Sequence, residues 1–84
     1  MSVSFQGPKG SLDLSNGNAA KFLKAFGVPG EDWQVGSLPL VEARIGLESM
    51  KNTLTDKNDI QLLVYFEELL NEISDNGGDV VEWY

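Results

Sequence analysis

The chain has no cysteine and no histidine among its 84 residues. Without them there are no thiol nucleophiles, no imidazole acid–base pairs and none of the common zinc or haem ligands. A small secreted domain is ordinarily stapled by disulfides, so a cytoplasmic location is the expectation. The start MSVSFQGPKG carries no apolar signal region. No apolar run approaches the roughly 18–20 residues that span a bilayer, so no membrane association is expected. Neither a GxGxxG turn nor a glycine-rich loop ending in Lys-Ser/Thr occurs. Basic residues are also few, with six Lys and Arg against thirteen Asp and Glu and a net charge of −7.

That charge is unevenly placed. Residues 1–54 balance five acids (Asp13, Glu31, Asp32, Glu42, Glu48) against five bases (Lys9, Lys21, Lys24, Arg44, Lys51). Residues 55–84 hold eight acids and the single base Lys57. Such a surface repels phosphate, which disfavours direct nucleic-acid or anionic-membrane binding and favours a basic protein surface.

The length suits one domain, residues 1–84. Val3 to Gln6 and Leu12 to Leu14 alternate around GPKGS, which predicts a hairpin with a four- or five-residue loop. A helix follows, capped by Ser15, Asn16 or Asn18. Its apolar stripe is Ala19, Phe22, Leu23 and Phe26, and Gly27 stops it. PGEDWQVGS reads as a loop, with an extended piece at Gln34 and Val35. Ser37 then caps a second helix with Pro39 in its first turn. Leu40, Ala43, Leu47, Met50 and Leu54 form its core stripe, and Leu38, Val41 and Ile45 a second one, also expected to be core.

Thr55 or Asp56 caps the third and longest helix, which runs to about Ser74. Leu62, Leu63, Phe66, Leu69, Leu70 and Ile73 occupy roughly a 120° arc of it. DNGG ends that helix, and DVVEWY alternates as a closing strand with Trp83 against the core. The fold class is therefore α+β, a three-stranded antiparallel sheet packed against three helices in the order ββαααβ.

Enzymes built on carboxylates alone need several converging in a cleft, which so short a chain rarely builds. The expectation is a protein that is not an enzyme, with no catalytic residues, no cofactor and no metal. DKND at 56–59 lacks calcium-loop spacing, and Asp56 and Asp59 suit a helix start without an ion.

Three features could carry binding. Glu67, Glu68, Glu72 and Asp75 line one side of the third helix, at about the spacing of one helical turn. Regular negative charge on a rigid rod can imitate a nucleic-acid backbone, while the plainer reading is a solvated face. Val64 among these acids, and Tyr84 turned away from Trp83, are candidate apolar anchors, as is Trp33 in its acidic loop. SNGNAAK offers a different site, with Asn16, Asn18, Lys21 and Lys24 around a helix start, suited to an anionic or nucleotide-like ligand or to capping alone.

The opening SVSFQGPKGSLDLSNGNAAKFLKAFGV resembles small bacterial and phage proteins with a hairpin running into LxLSNxNAxxLLxxLG. YFEELLNEISDNGGDVVEW is similar to their closing helix and VVEW-like strand. The resemblance covers about the first 28 and last 20 residues, carries no catalytic motif, and assigns no site residue. It implies a setting of phage–host conflict.

The leading expectation is a phage-encoded, anti-defence inhibitor. It would block a host defence or nucleic-acid-handling protein with a basic surface, through Val64, Glu67, Glu68, Glu72, Asp75 and Tyr84. The alternative is a homo-oligomer that binds or sequesters a small nucleotide signal at Asn16, Asn18, Lys21 and Lys24.

Overall fold

A computed structural model describes residues 2–84, and of Asp32 the backbone only. Strands β1 (Ser2–Gly7) and β2 (Gly10–Ser15) lead into helix α1 (Asn16–Ala25). A 3-10 turn at Gly30–Asp32 precedes β3 (Gly36–Pro39), α2 (Leu40–Lys51), α3 (Lys57–Asp75) and β4 (Val80–Trp83). The order among the described residues is ββαβααβ, and the sheet runs β2-β1-β4-β3 with every pair antiparallel.

The class is α+β with three helices, as expected, but the sheet has four strands. The additional strand, β3, comes from the segment expected to be loop and helix cap. Leu38 is buried opposite Val81 as a strand residue, and Pro39 is extended at φ −58, ψ 140. Leu40 begins α2, its N–H donating to Asp79 O at 2.9 Å. Four residues with one inward apolar side chain are too few to show an alternation in the sequence.

Ser15 caps α1 and Asp56 caps α3, the latter accepting from Asn58 N–H at 2.7 Å. Gly27 and Gly77 end those helices at φ 81. The hairpin is tighter than its sequence predicts: Gly7 faces Gly10 across the two residues Pro8 and Lys9. Pro8 excludes the primed turns, whose first central residue needs a positive φ, and Gly10 follows the turn at φ 151.

One face of the sheet meets the helices and the other meets solvent. Val3, Phe5, Leu14, Leu38, Val81 and Trp83 point inward and are buried. Phe66 of α3 is the hub, with ring centroids 4.5 Å from Phe22, 4.7 Å from Phe5 and 5.6 Å from Phe26. The stripes Ala19–Phe22–Leu23–Phe26, Leu40–Ala43–Leu47–Met50 and Leu63–Phe66–Leu69–Leu70–Ile73 are all buried, while Leu54 and Leu62 are half-buried.

Of the expected second stripe Leu38 is core, as a residue of β3, but Val41 and Ile45 are not. Val41 is 65% exposed and Ile45 66%, because β3 takes Leu38 out of the helix and α2 packs by one face only. β4 lies inside the sheet, between β1 and β3, with Trp83 1% exposed and its ring 5.8 Å from that of Phe5. Among the described residues no helix is long and apolar enough to cross a membrane.

Candidate functional site

At about 100° per residue, the core stripe of α3 centres near Phe66, and the opposite side carries Val64, Glu68 and Asp75. That outer face is graded along its length. Its first half exposes Ile60 (44%), Val64 (40%) and Tyr65 (45%), and its second half carries Glu68, Glu72 and Asp75. Ile60 and Tyr65 were not among the expected contacts. For Ile60 the signal is the i, i+4 step to Val64; Tyr65 lies about 100° round the helix from Val64, on the groove side with Glu68 and Glu72.

The four expected acids divide into two kinds. Glu67 belongs to the helix pair: Lys51 of α2 brings its Nζ to 2.7 Å from Glu67 Oε1 and 3.5 Å from Glu48 Oε2. The hydrogen bond to Glu67 is the main reason the Lys51 amine is held above its ordinary value, with the Glu48 carboxylate adding to it. Arg44 Nη2 donates to Asn71 Oδ1 at 3.1 Å in the same seam. Glu68, Glu72 and Asp75 form no ion pair among the described residues.

Glu72 and Asp75 stand in the last turn of α3, where the helix dipole disfavours negative charge and no basic residue offsets it. Glu68 and Glu72 are four apart and Glu72 and Asp75 three apart, so each meets a like charge. The cation on the groove side, Lys9 of the hairpin turn, borders the same groove as Glu68 and Glu72 without forming an ion pair among the described residues.

Between this face and the hairpin lies a groove of about 250 Å³, bounded by Lys9 and lined by Ser11, Leu12, Tyr65, Glu68, Leu69 and Glu72. No signal in the sequence gives this neighbourhood, since the packing of β2 beside α3 is set by the whole sheet.

Tyr84 is elsewhere. It exchanges backbone hydrogen bonds with Ser4 (2.9 and 3.0 Å), so its side chain shares the solvent face of the sheet with Ser4 and is 62% exposed. Val64 is on the outside of a helix packed against the other face, and one flat partner surface cannot meet both.

The residues of the alternative site are also divided. Asn16 lines a cleft of about 400 Å³ with Val3, Ala20, Gly30, Trp33 and Gln34, in which Trp33 is fixed by an Nε1–H bond to Val28 O at 2.9 Å. Asn18 and Lys21 line a separate hollow at the start of α3, where Lys21 Nζ pairs with Asp59 Oδ1 at 3.3 Å. Lys24 lines neither. Asp56 is used as a cap and Asp59 in that ion pair. Among the described residues no three His, Cys, Asp or Glu side chains converge as metal ligands would.

Set against family models, curated proteins and solved structures, the chain finds no match in any of the three.

Proposed function

We propose that the protein is a non-catalytic binding protein that blocks a partner carrying a basic surface, with the outer face of α3 as the contact. The observation that carries this reading is the charge of Glu68, Glu72 and Asp75, which has no ion pair among the described residues and works against its helix through like-charge neighbours and, for Glu72 and Asp75, the dipole of the last turn. Charge kept at a cost to its own helix gains its value from something outside the fold. The carboxylates are spaced at about 4.5–6 Å along a rigid rod, which suits a groove built to hold phosphates. Ile60, Val64 and Tyr65 add the apolar contact that charge alone lacks.

A nucleic-acid-handling protein is the partner class with such a groove, and the phage–host setting implied by the resemblance agrees with it. Glu67 and Tyr84 have no part in this contact, the first being engaged by Lys51 and the second facing away.

The test compares the wild type with a Glu68→Lys/Glu72→Lys variant, immobilised at equal density and challenged with a nuclease-treated host lysate. The wild type should retain a basic, nucleic-acid-handling protein that the variant, with an unchanged circular dichroism spectrum, does not. Equal retention would sink the proposal.

A further inference from the structure

We infer that the partner enters as an extended basic segment, adding a strand to the outer edge of β2 with its side chains laid on α3. This rests on the reading of α3 as a surface for a basic protein, and specifies how that protein is held.

β2 ends the sheet, and no backbone hydrogen bond reaches its outer side among the described residues. The bonds of Ser4 show which groups are free. Ser4 N–H donates to Tyr84 O and Ser4 O accepts from Tyr84 N–H, so both its backbone groups point towards β4. Its hairpin partner Asp13 is then in a non-hydrogen-bonded pair, with its own N–H and C=O pointing out of the sheet. By the two-residue alternation, Ser11 points its groups outward as well.

This six-residue edge has no internal proline or lysine, and its one charged guard, Asp13, repels a like-charged strand but not a basic one. The opposite edge, β3, has four residues and ends on Pro39, which has no N–H to offer.

The chemistry of the occupant follows from what borders this edge. A side chain placed across from Leu12 on an added strand enters the groove beside α3. The stem of an arginine or lysine lies there on Leu12, Tyr65 and Leu69, and its head meets the Glu68 and Glu72 carboxylates. The next residue along turns to the solvent face, where the Asp13 carboxylate stands. Basic side chains on either face of the segment thus find an acid, and its backbone finds Ser11 and Asp13. A second copy of this chain would instead set Asp13 near Asp13 and join two molecules of charge −7.

The test titrates the whole protein with a blocked octapeptide of alternating arginine and valine, followed by amide NMR and hydrogen exchange. Binding should slow exchange at Ser11 and Asp13. Methylating every valine nitrogen or every arginine nitrogen of the peptide should weaken binding at least tenfold for one of the two peptides only, because alternate N–H groups face β2. Asp13→Pro, which removes an outward N–H, should weaken binding at least tenfold relative to Asp13→Asn.

Equal binding of both methylated peptides and the parent, unchanged exchange in β2, or no binding at millimolar peptide would each overturn strand addition. The Glu68→Lys/Glu72→Lys variant separates the two readings. If it binds the peptide unchanged with β2 still protected, the acidic-helix reading fails and strand addition stands. If it loses the peptide while both methylated forms bind the wild type like the parent, strand addition fails alone.

Discussion

Gly46 of α2 lies directly against Phe26 at the end of α1: a Cβ on Gly46 would stand 2.5 Å from Phe26 Cδ1 and 3.1 Å from Ala25 O. A glycine inside a helix ordinarily costs about 0.5–1 kcal/mol relative to alanine. Here it lets two helices approach to backbone distance. Gly46→Ala should therefore destabilise the protein, by about 1–3 kcal/mol from overpacking less the helix-propensity gain. The urea midpoint reads this, and a higher midpoint would mean that the helices separate easily.

The acids late in α3 should trade stability against binding. Asp75→Lys places a cation where the dipole favours one and removes a like-charge neighbour of Glu72, for a gain of about 0.3–1 kcal/mol. In a domain of this size that is a rise of about 1–8 °C in Tm. The same change should weaken retention of the basic partner. A lower Tm would remove the argument that this charge is held against the fold's interest.

Leu38 and its former companions should behave oppositely. Leu38→Ala empties a core position and should cost about 2–5 kcal/mol. Val41→Thr and Ile45→Thr alter exposed positions and should change stability by no more than about 0.5 kcal/mol. Denaturant titration of the three variants checks this. A large loss at Ile45 would return it to the core.

Asp13 offers a pH signature at the proposed edge. The hydroxyl of Ser4, its cross-strand neighbour, and that of Ser11 at 3.0 Å hold its carboxyl below the ordinary 3.8. A carboxyl depressed in the folded state contributes stability above its unfolded value, and loses it as pH falls through the folded one. An NMR titration should place Asp13 below 3.8, and Ser4→Ala should move it upward. An unmoved titration in that variant would remove Ser4 from the account.

The helices were legible because each buries one stripe, and period 3.6 over ten or more residues shows in the pattern: Ala19 to Phe26, Leu40 to Met50 and Leu63 to Ile73 all lie in the core. The closing strand was legible from Val81 and Trp83 alternating with Val80 and Glu82. β3 was not, because Pro39 reads equally well as the end of a strand and the start of a helix. Its partner across the sheet, β4, lies about forty residues on.

Of the site, the acidic face was legible from helical spacing alone. The engagement of Glu67 by Lys51, the turning away of Tyr84 and the nearness of Leu12 to Glu68 all depend on elements distant in sequence. No local pattern encodes them.

The position of β4 has a consequence for synthesis. β1 and β3 are made early, yet neither pairs with the other, and both wait for a strand that leaves the ribosome after all three helices. Until then the β1–β2 hairpin has two open edges and shows Val3 and Phe5 to whatever is nearby, a state that invites association with other chains. The four-stranded sheet therefore cannot close until β4 is available. The edge that β2 keeps afterwards is the remnant of an exposure the nascent chain has on both sides.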